Sequence, residues 1–212
     1  PRSQYETEEY QDAVVDDIVG NWTVMSRNRK FHALFATSSI PEAIRYYRKF
    51  RQKAPDLKVT GLFDPLIDNE NKERSFLKED GLQEMLQDYN AMFDQNFSIG
   101  SYAFFKKDVS SRLSHKRPYA HMKEDQQLDL LIVVNQMLTG FDSKWINTLY
   151  LDKVLTYEHL IQAFSRTNRL FNINEKPFGS IRYYRYPHTM QKNIEDAVKL
   201  YSGDRPRGLF AD

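Results

Sequence analysis

Apolar residues along this chain fall into short runs, separated by stretches in which apolar and polar residues recur at helical spacing. Five runs predict strands: residues 31–36, 57–63, 128–134, 146–152 and 179–186. The run Leu128–Val134 is almost continuously apolar, which is typical of a central parallel strand covered by helices on both faces. Helical spacing predicts helices over residues 41–51, 157–170 and 189–201. The alternation predicts an α/β fold with a parallel sheet flanked by helices.

The pattern divides the chain into three predicted segments. Residues 1–30 contain an acidic stretch with a short amphipathic helix, and we expect them to form a linker that leads into the domain. Residues 31–187 form the predicted domain. Residues 188–212 are expected to begin a following helical region, which includes the predicted C-terminal helix.

Residues 64–127 are more polar than the rest of the domain and predict a mostly helical insertion. One apolar helical face comprises Leu82, Met85, Leu86, Tyr89 and Phe93. A basic cluster comprises Lys106, Lys107, Arg112, Lys116 and Arg117. Such a cluster could meet the phosphates of a duplex, but we interpret it as a solvated helix face.

Composition narrows the classes of function. With 41% hydrophobic residues the chain can bury a core, and its formal charge of +1 means that any nucleic acid must be held by local patches. The absence of cysteine excludes disulfides and thiolate metal sites and suits a cytosolic protein. The longest apolar run is too short to cross a membrane, and the start at Pro1 leads us to expect a piece of a longer polypeptide.

The sequence QAFSRTNR places two arginines in a predicted helix with a strongly apolar opposite side. At about 100° per residue, Gln162, Arg166 and Arg169 lie on one stripe of that helix. Two guanidinium groups on one stripe repel each other unless an anion, either a carboxylate or a phosphate, lies between them. A solvated basic face with acidic neighbours is the alternative for an arginine pair considered alone.

The stretch Thr139-Gly140-Phe141-Asp142 follows the most buried predicted strand. Ligands of open parallel sheets bind at the carboxyl ends of the strands, where Asp142 would meet them and Gly140 would let the backbone approach closely. Considered alone, the stretch also suits a turn capped by its own aspartate.

In order along the chain, "ATSS", "VVNQMLTGFDSKWINTLYLDK", "LIQAFSRTNR" and "FGSIRYYRY" resemble one known family. The similarity is to the second RecA-like motor domain of superfamily 2 helicases, specifically that of the restriction subunit of type I restriction-modification enzymes. It covers residues 31–201 and is most specific over residues 128–170. The family's motif IV falls on Leu34–Ser39, motif V on Leu138–Asp142 and motif VI on Gln162–Arg169.

The resemblance implies an ATP site shared between two motor lobes. Arg166 and Arg169 would be arginine fingers, and Gln162 would sense or orient the γ-phosphate. Asp142, beside Gly140, would meet the ribose or couple the nucleotide to the DNA track. ATP and Mg²⁺ are expected in the intact subunit, with the metal held by the first lobe.

The resemblance also implies contacts with DNA and with other subunits. Thr139, Thr37 and Ser38 would contact the sugar-phosphate backbone of one DNA strand. Expected partners are double-stranded DNA, the first motor lobe and nuclease domain of the same parent chain, and the modification and specificity subunits, with no membrane. The expected location is the bacterial or archaeal cytoplasm.

The implied function is ATP-dependent translocation along double-stranded DNA within a type I restriction endonuclease. The chain has no G-x-x-x-x-G-K-[ST] sequence, so we expect this fragment alone to be inactive towards ATP. Two alternatives stay open: the second lobe of another superfamily 2 helicase or remodeller, and an interaction module with the same fold that binds no nucleotide.

The sequence RYYRY at residues 182–186 mixes aromatic rings and cations in the way that stacking platforms do. Its position in a predicted strand favours core packing, with the alternate arginines exposed to solvent.

Overall fold

A computed structural model describes residues 4–63, 72–134, 143–167, 171, 176 and 179–202; the side chains at 72–78, 157, 164–166, 201 and 202 are not described. The helices are α1 (Glu8–Gly20), α2 (Trp22–Met25), α3 (Ile40–Lys53), α4 (Lys72–Phe93), α5 (Tyr102–Leu113), α6 (Tyr157–Thr167) and α7 (Pro187–Ser202). The strands are β1 (His32–Thr37), β2 (Val59–Leu62), β3 (Leu130–Val134), β4 (Ile146–Asp152) and β5 (Ser180–Tyr183). No helix in these ranges is long and apolar enough to cross a membrane.

The five strands form one parallel sheet in the order β2-β3-β1-β4-β5. This confirms the predicted α/β class, and β3 is buried at every position, as its composition predicts. Thr37 of β1 is in register with Val134 of β3 and with Asp152 of β4. We call the side of the sheet where these strands end the carboxyl edge, and the side where they begin, at His32 and Ile146, the amino edge.

Helix α1 is packed into the domain rather than standing apart from it. Val14, Val15 and Ile18 are at most 3% exposed and belong to the main core. On the outer side, Lys49 of α3 bonds to Glu8 and Asp12 of α1. The acidic stretch that we expected to lie in a linker therefore packs its apolar side into the core and pairs its acids with α3, although the expected boundary at residue 30 itself stays a prediction.

The insertion is mostly helical, and its predicted apolar face is buried from Leu82 to Phe93. The interpretation of the basic cluster is wrong for Arg112, which is 2% exposed. Its Nε donates to Asp108 at 2.9 Å, and its guanidinium lies 3.9 Å from the centre of the Phe93 ring. Arg112 is buried because a carboxylate one helical turn earlier and surrounding aromatic rings replace its water.

Two histidines join the insertion to the amino edge. The Nδ1 atom of His32 lies 2.5 Å from the carbonyl oxygen of Leu128, so this nitrogen must carry the proton that it donates. The Nε2 atom of a neutral His32 then accepts from Nε2 of His115, 2.9 Å away. Burial lowers the pKa of His32 to about 3 and that of His115, which stacks on Trp145 at 3.8 Å, to about 4.

This pair predicts a loss of stability in mild acid. An unfolded chain binds protons at histidine near pH 6.5, whereas the folded pair stays neutral to about pH 4. The free energy of unfolding should therefore fall as the pH is lowered through that window, as measured by urea titration. His115→Gln keeps a donor without a titrating ring, so its pH dependence there should be shallower; equal slopes in both proteins would contradict this assignment.

Candidate functional site at the carboxyl edge

Thr37 and Ser38, the predicted DNA contacts of motif IV, lie at the carboxyl edge. Thr37 is fully buried, and its hydroxyl lies 3.4 Å from the carbonyl oxygen of Ser39. The hydroxyl of Ser38 donates to the carbonyl oxygen of Asp152 at 3.1 Å. A hydroxyl has one proton, so either group would have to release its internal acceptor before it could donate to a phosphate.

The predicted residues of motifs V and VI are described only in part. Thr139, Gly140, Asp142 and Arg169 lie outside the described residues, as does the side chain of Arg166. The helical backbone of α6 continues through position 166 to Thr167.

Helix α6 has the amphipathic form that the sequence predicts. Leu160 and Ala163 are at most 2% exposed, whereas Gln162 is exposed on the other side. Position 166 lies one helical turn beyond Gln162, which places it on that same outer side of the helix.

The end of α6 packs against the chain that enters β5, so it lies at the amino edge of the sheet, where the strands begin. A Cβ atom built on Gly179 would lie 2.2 Å from the carbonyl oxygen of Thr167 and 2.6 Å from its Cβ. Thr167 itself is 2% exposed. No side chain larger than hydrogen fits at position 179 without moving the last turn of the helix that carries Arg166.

A buried ionic cluster closes the carboxyl edge. Arg185 donates from Nε to Oδ1 of Asp152 at 2.9 Å and from Nη2 to Oε1 of Glu42 at 2.8 Å. Asp152 is fully buried, Glu42 is 4% exposed and Arg185 is 8% exposed. Burial acts to lower the pKa of Arg185, but the bonds to both carboxylates outweigh it and raise the pKa, so the guanidinium stays charged.

The same carboxylates organise the neighbouring elements. Tyr10 of α1 and Tyr46 of α3 each donate to Asp152 at 2.7 Å. Burial together with this carboxylate raises the pKa of both phenols, which therefore remain donors. Glu42 accepts from the backbone N–H of Ser38 at 3.2 Å. One cluster thus fixes α1, α3, the residue after β1 and the end of β4.

The expectation that the alternate arginines of RYYRY are exposed is wrong for Arg185. Strand β5 ends at Tyr183, earlier than predicted, and Tyr186 has a φ of 44°, so strand alternation does not reach Arg185. Arg182 does lie on the strand, about a third exposed, and pairs with Asp17 at 3.2 Å. One member of the cluster was visible in the sequence, because the apolar run of β4 ends in an aspartate, Asp152.

The chain is similar to one family of known proteins over most of its length. A family model described as type I restriction enzyme subunit R domain 3 matches residues 29–186. The SauMRSORF196P endonuclease subunit of a type I restriction enzyme from Staphylococcus aureus is 36% identical over 197 residues, which are 90% of this chain and 20% of the relative. The SsaAORF53P endonuclease subunit from Staphylococcus saprophyticus is 37% identical over 210 residues, 95% of this chain and 22% of the relative.

The chain therefore spans about a fifth of the length of these curated relatives. Among solved structures, S. cerevisiae Dbp5 bound to Gle1 and IP6 aligns with 92% of this chain and 38% of its own, at 14% identity and a TM-score of 0.46. That similarity is too slight to support an inference about this chain.

Replacing Arg185 should destabilise the fold strongly. Arg185→Ala leaves two buried carboxylates without their cation, which should lower the free energy of unfolding by about 3–5 kcal/mol. The matched control is Arg182→Ala, whose partly exposed pair with Asp17 should contribute only about 0–1 kcal/mol. Urea unfolding of both variants measures the difference, and equal losses would mean that the cluster does not hold this edge.

Gly179→Ala tests the seat of α6. The added methyl group must push Thr167 away, at a cost of about 1–3 kcal/mol in the free energy of unfolding. In Gly20→Ala nothing lies within 4 Å of the new Cβ, so that variant should unfold at the same or a higher urea concentration than the parent. A Gly179→Ala protein as stable as the Gly20→Ala control would show that the contact is looser than described.

Proposed function

The chain belongs to the family of type I restriction enzyme subunit R domain 3, and from that premise we propose that it is the second motor lobe of an ATP-dependent translocase on double-stranded DNA. Within the whole subunit it contributes motifs IV, V and VI to an ATP site that a first motor lobe completes. The restriction endonuclease as a whole would add the nuclease domain and the modification and specificity subunits.

Helix α6 carries this proposal. Its inner side is fixed by Leu160 and Ala163, its end is fixed by Gly179, and its outer side holds Gln162 and position 166. A helix held on one side and exposed on the other is a suitable support for groups that reach across a cleft into a partner lobe.

The proposed chemistry is stabilisation of charge on the γ-phosphoryl group. Negative charge would spread over the oxygens of that group as it transfers to water, and the guanidiniums of Arg166 and Arg169 would neutralise this charge. Gln162 would orient the phosphate region. An arginine fork matches phosphate oxygens in pairs, which a lysine ammonium cannot do.

The donor set fits a triphosphate that is shared with another lobe. Cations, an amide and hydroxyls bind phosphate oxygens. In the described part of the chain no three acidic or histidine side chains are grouped so that they could hold a metal ion. By the family resemblance, the Mg²⁺ would be held by the first lobe. When bound, ATP and Mg²⁺ supply the transferred phosphoryl group and its charge neutralisation.

The carboxyl edge would carry the DNA track. Thr37 ends β1 and Ser38 follows it, and Thr139 comes after the neighbouring strand β3 in the sequence, so we expect the three backbone contacts at the ends of adjacent strands. Asp142 and Gly140 would link this track to the nucleotide. Hydroxyl contacts of this type position a duplex without reading its sequence.

Arg166→Ala in the full-length subunit tests the proposal. The rate of DNA-stimulated ATP hydrolysis should fall by about a thousandfold or more, while ATP binding stays nearly unchanged, because the guanidinium acts mainly on the transition state. Arg166→Lys should also fail, since a point charge cannot replace the fork. The matched control is Arg48→Ala, which removes a half-exposed arginine from α3 and should hydrolyse ATP normally.

Normal turnover in Arg166→Ala would favour an interaction module over a motor lobe. A separate strand-displacement assay distinguishes the two kinds of motor. A translocase moves along the duplex without releasing a labelled strand, whereas release of that strand would favour a helicase.

A further inference from the structure

The beginning of α5 presents apolar and cationic side chains to solvent. Phe104 is 68% exposed and Ile99, just before the helix, is 39% exposed. Lys107 is exposed next to Phe104 around the helix, and Lys106 is exposed on the other flank, about 160° around the axis from Phe104. We call these four residues the α5 surface. The Phe104 ring buries little apolar area when the chain folds, and apolar groups exposed together on a surface often mark a contact with a partner.

A pair of hydrogen bonds places this surface at the carboxyl edge. The hydroxyl of Tyr102, the first residue of α5, donates to the carbonyl oxygen of Phe63 at 2.6 Å and accepts from its N–H at 3.2 Å. Phe63 directly follows the end of β2. At the other end of the helix, the carbonyl oxygen of Leu113 accepts from Ser143, which precedes β4 at the amino edge. Helix α5 therefore runs against the strand direction, with its first turns at the carboxyl edge.

The proposed DNA contacts lie on the strands next to this surface. Strand β2 pairs with β3, and β3 pairs with β1, which ends at Thr37. Neighbouring strands are about 4.8 Å apart, so the end of β2 is roughly 10 Å from that of β1. A duplex lying on the ends of β1 and β3 would extend over the start of α5, and it offers one negative charge about every 1.7 Å of its axis.

In the described part of the chain, the two lysines have no partner of opposite charge. Neither Lys106 nor Lys107 forms an ion pair or a hydrogen bond there. The acid next to them, Asp108, already accepts from Arg112 at 2.9 Å and from Tyr89 at 2.6 Å. Arg112 on the inner side of the same helix is thus neutralised internally, while the outer cations remain available to an anionic partner.

We propose that the α5 surface binds the sugar-phosphate backbone of duplex DNA. Lys106 and Lys107 neutralise phosphates, and Phe104 packs against the apolar side of the sugars. The insertion thereby widens the track formed by the ends of β1 and β3. This inference rests on the proposed function, because that function supplies the duplex at this edge.

The test compares variants of the full-length subunit on a duplex of unrelated sequence, about three helical turns long. Affinity is measured by fluorescence anisotropy between about 50 and 200 mM salt. Replacing both lysines by glutamine should weaken binding and reduce the slope of log affinity against log salt by about 2, roughly 0.9 for each lost phosphate contact. Phe104→Ala should weaken binding by about tenfold with no change of slope, since an apolar contact releases no counterions.

Matched controls lie at the opposite edge of the sheet. Val24 is 77% exposed on α2, where the carbonyl oxygen of the next residue, Met25, accepts from Asn147 near the start of β4. Lys123 is exposed just before a turn in which the backbone carbonyl oxygen of Asp125 accepts from Nζ of Lys58, a residue near the start of β2. Val24→Ala and Lys123→Gln should bind DNA as the parent does. All the replaced side chains are exposed, and thermal unfolding of each variant checks that the fold is kept.

An unchanged salt slope in the double lysine variant overturns the inference. A Phe104→Ala variant that binds DNA normally but assembles poorly with other subunits also overturns it, because that result would assign the surface to a protein partner. The proposed function fails separately, if the parent subunit shows no DNA-stimulated ATP hydrolysis or if Arg166→Ala retains it. An inactive Arg166→Ala together with normal DNA binding by the α5 variants would remove this inference alone.

Discussion

Arg185 lies between two buried carboxylates, Asp152 and Glu42, at the edge of the sheet where the parallel strands end. Charges taken out of water are tolerated only when their partners are held in place, so each member of this cluster restricts the others. Through Tyr10, Tyr46 and the backbone of Ser38, the restriction extends to α1, α3 and the residue after β1. The carboxyl edge is thereby a fixed surface.

A rigid framework is what a motor lobe of the proposed kind requires. Arginines that act across a cleft have to be delivered to within about an ångström, because a displacement of that size can cost on the order of a hundredfold in rate. Helix α6 meets this requirement through its packed inner side and through the close contact between Gly179 and Thr167. The carboxyl edge, extended by the start of α5, supplies a surface of sufficient width for a duplex.

The sequence predicts the elements well and the long-range charges poorly. The limits of β4 and the two sides of α6 follow from local periodicity, which reports the burial of one face averaged along an element. Arg185 and Arg112 were both expected at the surface, because the partners that allow their burial come from distant parts of the chain: Glu42 and Asp152 for the first, the Phe93 ring for the second.

The candidate site shows the same difference between local features, which the sequence predicts, and long-range contacts, which it does not. Thr37 and Ser38 lie at the carboxyl edge, and Gln162 lies on the outer side of α6. The internal hydrogen bonds of the Thr37 and Ser38 hydroxyls could not be predicted from the motifs. The functional roles of all the candidate residues stay predictions: Thr37, Ser38, Thr139, Gly140, Asp142, Gln162, Arg166 and Arg169.

The most direct test is a structure of the full-length subunit with duplex DNA, ADP and a metal fluoride that mimics the transferring phosphoryl group. Our account predicts that the guanidiniums of Arg166 and Arg169 lie within hydrogen-bonding distance of the fluoride, about 3 Å, across the cleft from the metal. Guanidiniums that are instead paired with acids of their own domain would contradict it.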